Sequence, residues 1–259
     1  KTELAKFICR KLYRYFIYYY IDDTIENNII TPLSNIFITN NYEIKPVLKT
    51  LLSSEHFYDT LYIGCQIKSP VDHVITFLRQ YEIIFPNAIT DYTDSYFLHN
   101  YMVNQLISMG QNPVDPPNVS GWPAYYQTPD YNKLWINADT LPKRNKFTDL
   151  MIETGYTRNG KKVIVNTIQF AKNVCPNPSD PNVLIESVFS FLVSTEIAAS
   201  LKASLKTQIL LSGQTSDYYW TDAWNAYNLS PTNINFNIVH TRLKSLLKYI
   251  MNLPDYQLQ

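Results

Sequence analysis

Apolar residues recur every three to four positions along most of this 259-residue chain, a spacing that places them on one face of an α-helix. Ser69 and Pro70 precede one such segment and provide a helix cap and a first-turn proline. Three of the six glycines directly follow other periodic segments, where a left-handed residue ends a helix: Gly110, Gly155 and Gly213. These helix start and stop signals favour a fold built from many separate helices.

The same periodicity predicts helices at residues 3–21, 43–54, 70–84, 94–109, 147–154, 163–173, 181–193, 198–212 and 232–252. Strand signals are few, since 35–39 is short and ambiguous and 113–136 lacks alternation. We therefore predict an all-α protein, an irregular multi-helix array with little or no sheet. Helix should exceed half of the residues and strand stay below about a tenth. Residues 1–259 are predicted to form a single helical domain, with one candidate sub-boundary at the proline-rich segment 173–181.

The amino-acid composition disfavours nucleic acid and the membrane interior as binding environments for this chain. Hydrophobic residues make up 46% of the chain, which supports a sizeable core, and the formal net charge is zero. The longest basic block is 143–146, so nucleic-acid binding through bulk charge is disfavoured. The most apolar stretch, 7–21, is interrupted by Arg10, Lys11 and Arg14, so no membrane span is predicted.

The reactive side chains form no compact catalytic or metal-binding pattern. The three cysteines are far apart without zinc-like spacing and are interpreted as buried small hydrophobes: Cys9, Cys65 and Cys175. The four histidines are scattered and are predicted at the surface or the margin of the core: His56, His73, His99 and His240. No serine lies in a nucleophile elbow. No metal site or cofactor is predicted.

The segment 110–123 is a long ordered loop rich in proline and tryptophan. Its four prolines fix φ, its two glycines permit unusual turns, and its amides can tie the loop to the body of the protein. Two interpretations remain open. In the first, this loop and the segment after it form a pocket for a sugar or peptide, lined by Gln111, Asn118, Trp122, Trp135, Asn137 and Arg144. In the second, which we favour, Trp122 plugs the core and Arg144 stacks on an indole as an internal clamp.

A second aromatic cluster surrounds Asp222, which lies between Trp220 and Trp224 with two tyrosines upstream. A carboxylate in an aromatic cleft would suit sugar chemistry, because such a setting raises its pKa. The simpler interpretation, which we favour, is that the rings bury one face of a helix.

Several motifs occur in the order typical of one bacterial family. They are Lys11-Leu12-Tyr13-Arg14-Tyr15-Phe16, the segments 44–57 and 67–71, the Pro-Pro-Asn-Val-Ser-Gly-Trp-Pro loop at 116–123, Trp135-Ile136-Asn137 with Thr140, Leu141 and Arg144, and 253–258. With these motifs the chain resembles the family called domain of unknown function 1800, in the versions found in Bacteroidetes-type bacteria. The resemblance covers essentially the whole chain, as the carboxy-terminal part of a longer family protein.

This resemblance implies an exported protein, periplasmic or secreted, often encoded beside a second exported protein and without an established activity. Two hypotheses follow. The chain is a non-catalytic module that binds the companion protein or a surface polysaccharide, or it is an enzyme acting on polysaccharide or cell-envelope material, with a site completed by the family's amino-terminal half or by a partner. Because that half is not recognised here, the segment 3–21, apolar on nearly every face, is expected to be partly exposed.

Overall fold

The computed structural model describes residues 1–259, of which 64% are helical and 3% lie in a two-stranded sheet. The all-α prediction is therefore confirmed. The chain divides into two compact units. Unit one comprises residues 1–67, 120–134 and 259, and unit two comprises residues 68–119 and 135–258. Each unit has its own cluster of buried apolar side chains.

Unit one contains five helices, of which only the first exceeds nine residues. They are α1 (Thr2–Phe16), α2 (Asp23–Ile25), α3 (Thr31–Thr39), α4 (Ile44–Leu52) and α7 (Pro123–Tyr126), with a π-helical turn at Glu26–Ile30 and 3-10 turns at Glu55–Tyr58 and Thr60–Tyr62. Ala5, Cys9 and Tyr13 are spaced four residues apart and form the buried stripe of α1. Cys9 is thus the buried small hydrophobe that was predicted.

A second face of α1 carries exposed apolar and aromatic side chains, in line with the expectation that the segment 3–21 is partly exposed. Leu4 is 57% exposed, Phe7 49% and Tyr15 62%. The ambiguous segment 35–39 is helical and belongs to α3, where Leu33 and Phe37 share one buried face. A helical spacing of four therefore prevailed there over the β-branched composition.

Unit two contains the two longest helices of the chain, of 17 and 20 residues. In chain order its helices are α5 (Pro70–Gln80), α6 (Tyr92–Ser108), α8 (Thr140–Glu153), α9 (Thr167–Val174), α10 (Pro181–Leu192), α11 (Ala199–Leu205), α12 (Tyr218–Leu229) and α13 (Asn233–Asn252). A π-helical turn at Lys206–Leu210 and a 3-10 turn at Pro254–Gln257 also belong to this unit. A further 3-10 turn, Tyr131–Trp135, has its first four residues in unit one and its last in unit two. The proline-rich segment 173–181 lies inside this unit. None of the helices combines the length and apolar composition required to cross a bilayer.

The predicted helix boundaries follow their local chemistry. Ser69 Oγ accepts a hydrogen bond from the Asp72 backbone N–H at 3.1 Å, and the Asp72 carboxylate accepts one from the Ser69 backbone, which completes a capping box. Gly110, Gly155 and Gly213 all have positive φ, so the three predicted helix stops are confirmed.

The single sheet is a two-stranded hairpin, which the sequence pattern did not predict. Strands β1 (Tyr156–Arg158) and β2 (Lys161–Val163) pair antiparallel, and Tyr156 lies opposite Val163. Asn159 and Gly160 connect them with φ of 48° and 77°, the conformation of a two-residue primed turn. The predicted helix at 163–173 was therefore wrong at its start, because α9 begins only at Thr167.

Candidate functional site

Gln111 ties the proline-rich loop to unit two. Its side chain is 5% exposed, and Oε1 accepts a hydrogen bond of 2.9 Å from the backbone N–H of Val71. Val71 lies in the first turn of α5, where backbone N–H groups lack partners within the helix. The amide therefore closes a helix end while it fixes the start of the loop, as expected for an amide that secures the loop to the body.

Asn137 organises the entry to α8. Its side-chain oxygen accepts hydrogen bonds of 2.9 Å from the backbone N–H groups of Asp139 and Thr140. The Thr140 hydroxyl in turn donates to the Trp135 carbonyl at 3.0 Å. Although Asn137 is exposed, its amide oxygen is thus committed to the local backbone, which is the behaviour of an Asx turn.

The two tryptophans of the predicted site differ in burial. Trp135 is 5% exposed and lies in unit two, whereas Trp122 is only partly buried and lies in unit one immediately before α7. Asn118 is exposed in unit two. The role of core plug, expected for Trp122, fits Trp135 better.

Arg144 is fully buried inside unit two. Its guanidinium donates hydrogen bonds to the Lys68 carbonyl at 2.9 Å and to Gln257 Oε1 at 3.5 Å. Lys68 is also buried, and its ammonium donates to the Tyr256 carbonyl at 2.7 Å while lying 4.3 Å from the centre of that ring. The two cations thereby fasten the 3-10 turn Pro254–Gln257 to the core, a role that the sequence did not suggest.

His73 lies beside these cations and is completely buried. Its ring meets Phe147 and Tyr256 edge-on at centroid distances of 6.2 and 5.8 Å, and neither ring nitrogen has a hydrogen-bond partner. Burial, together with Arg144 and Lys68, holds the pKa of His73 well below its usual range, so the ring is neutral. The prediction that His73 lies at the surface or the core margin was wrong. Its position four residues before Phe77 on α5 was the signal for burial.

Burial makes the stability of unit two depend on pH through Lys68. Desolvation lowers the pKa of Lys68 from 10.5 to about 8. Between these values the unfolded chain binds a proton that the folded chain does not, so the free energy of unfolding rises with pH. From pH 8 to 9.5 we expect a rise of about 1–2 kcal/mol in the native protein. Urea unfolding measures it, and Lys68→Met should lack this rise. Equal pH slopes in the two proteins would contradict the prediction.

A groove of unit two runs along α8. Its volume is about 720 Å³, and it is lined by Leu141, Pro142, Asn145, Lys146, Asp149, Leu150, Glu153, Thr154 and, from the end of α13, Asn252. The residues of α8 recur every three to four positions and share one face. The groove therefore combines an apolar floor with amide, ammonium and carboxylate groups at fixed positions.

Both carboxylates of the groove are engaged in structural contacts. Glu153 forms ion pairs with Lys248 at 3.0 Å and Lys244 at 3.4 Å, both on α13. Asp149 Oδ1 accepts a hydrogen bond of 3.1 Å from Asn252. Lys248 holds the pKa of Glu153 below its usual range, opposite to the raised pKa that a general acid requires.

The aromatic cluster around Asp222 buries a helix face. Trp220 is fully buried and its indole N–H donates to the Pro178 carbonyl at 2.8 Å, while Trp224 is 3% exposed. Asp222 is exposed on the other side of α12. The structural interpretation of this cluster was therefore correct, and the rings do not enclose the carboxylate.

The other histidines and the cysteines have local roles. His56 Nε2 lies 2.9 Å from the Tyr13 hydroxyl, His99 Nδ1 lies 2.7 Å from the Ser95 carbonyl, and His240 Nδ1 lies 2.8 Å from the Thr167 hydroxyl. The three cysteines are free thiols, and Cys175 is buried like Cys9. Cys65 is only partly buried and donates to the Ile17 carbonyl at 3.2 Å, so the prediction of burial was wrong for this residue. No group of three or more His, Cys, Asp or Glu side chains is arranged to hold a metal ion.

These features define the class of protein: an all-α protein with an ion-paired groove on one long helix and a short hairpin as its only sheet. The chain belongs to the family described as "Protein of unknown function (DUF1800)", whose sequence model matches residues 1–258. The resemblance drawn from the motifs is thereby confirmed. No curated protein and no solved structure matches the chain.

Proposed function

We propose that this chain is a non-catalytic helical binding module of an exported bacterial protein, and that it assembles with a companion exported protein through the groove on α8. The observation that carries the proposal is the state of the groove's carboxylates. Asp149 accepts a hydrogen bond from Asn252, and Glu153 is paired with two lysines of α13, so contacts within the protein hold both carboxylates in place. Fixed polar groups around an apolar floor suit recognition of a protein segment.

The alternative is an enzyme that acts on polysaccharide or cell-envelope material. Glycoside hydrolysis uses two carboxylic groups, one of which must be protonated near neutral pH. The lowered pKa of Glu153 disfavours that role in this groove. An enzymatic site would then have to draw its acid from the longer family protein or from a partner.

A site-specific photo-crosslinker tests the proposal. It replaces Leu141, which is 36% exposed at the groove, in the full-length protein within its own envelope fraction. The matched control replaces Leu229, which is 87% exposed elsewhere in unit two. We expect one discrete crosslinked protein from position 141 only, and we expect Lys146→Glu to reduce its yield because the change reverses a charge in the groove.

Two results would count against this function. One is crosslinking that is equal from positions 141 and 229, since that would indicate random contact. The other is release of soluble sugar from envelope polysaccharide by the full-length protein, abolished by Asp149→Asn, since that would identify a catalytic carboxylate.

A further inference from the structure

Two cations of unit one lie against tyrosine rings. The guanidinium carbon of Arg14 is 5.6 Å from the ring centre of Tyr131, and Arg14 Nε donates to the Tyr19 carbonyl at 3.2 Å. Lys133 Nζ is 4.6 Å from the ring centre of Tyr19 and donates to its hydroxyl at 3.0 Å. The two tyrosine rings are 6.3 Å apart, so the four side chains form one cluster. Asp130 attracts Lys133 through space without forming an ion pair.

The cations of α1 fall into two groups. Lys6 and Arg10 form ion pairs with Glu26 at 3.5 and 2.7 Å. Lys11 and Arg14, three residues apart and therefore neighbours on the helix surface, instead lie over aromatic rings. The positive charge of this second group is not cancelled by a carboxylate in contact with it. Charge complementarity therefore favours an anionic ligand.

Exposed aromatic rings continue the same surface. Tyr15 follows Arg14 on α1 and is 62% exposed, and its ring lies 6.3 Å from that of Tyr125, which is 47% exposed. Tyr125 in turn meets the partly buried Trp122 edge-on at 6.3 Å. These ring contacts hold the aromatic faces in place before any ligand arrives, which reduces the entropy lost on binding.

We propose that the surface formed by Arg14, Tyr15, Tyr19, Tyr125 and Lys133 binds an acidic polysaccharide. Uronate carboxylates pair with the guanidinium and ammonium groups. The apolar faces of the sugar rings pack on tyrosine rings, whose hydroxyls bond to sugar hydroxyls. The assignment concerns unit one and does not depend on the companion protein proposed for the groove of unit two.

The small number of cations on this surface favours an acidic polysaccharide over other polyanionic ligands. A protein that binds nucleic acid gains affinity from many phosphate contacts, whereas this chain has a formal net charge of zero. Anionic membranes are recognised by clusters of about four to eight basic residues. An acidic glycan requires fewer charges because each sugar ring also contributes stacking area.

Native gel electrophoresis in the presence of polygalacturonate tests the assignment, with dextran as the neutral polymer. We expect the native protein to be retarded by polygalacturonate alone, and increasingly so at low salt. Lys133→Gln and Tyr125→Ala should each weaken binding about tenfold. Lys172→Gln is the matched control, because Lys172 makes a similar contact with Tyr227 at 5.4 Å in unit two. It should bind as the native protein does, and far-ultraviolet spectra verify that all variants are folded.

Three outcomes would overturn the assignment. They are no retardation of the native protein by polygalacturonate, equal weakening by Lys133→Gln and Lys172→Gln, and tighter binding of single-stranded oligothymidine or phosphatidylglycerol vesicles than of the uronate polymer. The first outcome leaves the crosslinking result at Leu141 unaffected, so failure of this assignment and failure of the groove proposal are distinguishable.

Discussion

Replacing Trp135 by alanine is expected to reduce the free energy of unfolding by about 3–5 kcal/mol, because it removes a large buried ring and leaves a cavity. Trp135 is 5% exposed, and the segment that carries it is fixed by the bond from Thr140 to its carbonyl. Trp122→Ala should cost only about 1–2 kcal/mol, since Trp122 is partly exposed. Denaturant unfolding of both variants provides the measurement.

The comparison between the two variants decides which of the two indoles contributes more to the free energy of unfolding. If Trp122→Ala proves as costly as Trp135→Ala, the original interpretation of Trp122 as a core plug is restored. A loss of no more than about 1 kcal/mol for Trp135→Ala would contradict the prediction that burial of its ring stabilises unit two.

Gly155→Ala is the second change with a large expected effect, about 3 kcal/mol or more of lost stability. Gly155 has a φ of 65° at the end of α8, and an added Cβ would collide with the carbonyl oxygen of Val163 and lie 2.6 Å from Ile164 Cβ. The side chain would therefore force apart the helix end and the hairpin strand β2. Thermal and denaturant unfolding report the loss.

Gly213→Ala separates backbone strain from collision. Gly213 has a φ of 80°, but nothing lies within 4 Å of its added Cβ. It should therefore cost only about 1–2 kcal/mol, from the left-handed conformation alone. Equal losses at the two glycines would mean that the close approach between α8 and β2 contributes nothing.

Local chemistry explains which parts of the fold could be predicted. The cap at Ser69 and the glycine stops could be predicted because caps depend on residues within one or two turns. The hairpin was missed although Asn159-Gly160 is a strong turn signal, because the apolar residues after it were assigned to a helix. The π-helical turns at Glu26–Ile30 and Lys206–Leu210 left no recognisable trace in the sequence.

The candidate site was harder to predict from the sequence than the helices, because it depends on contacts between residues that are far apart in the chain. Gln111 was correctly expected to anchor its loop, but its partner Val71 is forty residues earlier. Arg144 was expected against an indole, but it donates hydrogen bonds to Lys68 and Gln257. These two partners lie near the first and last residues of unit two in the sequence. The groove needs Asn252 beside α8, a juxtaposition that no local pattern encodes.

The order of residues in the two units has a consequence for biosynthesis. Unit one includes residues 120–134, and its last member, Gln259, forms two backbone hydrogen bonds with Gln66 at 2.8 and 3.3 Å. A growing chain therefore cannot complete unit one until most of unit two has left the ribosome. The buried apolar cluster of unit one lies within residues 5–62 and can pack before unit two is synthesised. The backbone pairing between Gln66 and Gln259 must wait, so a stalled nascent chain would carry unit one with this pairing open.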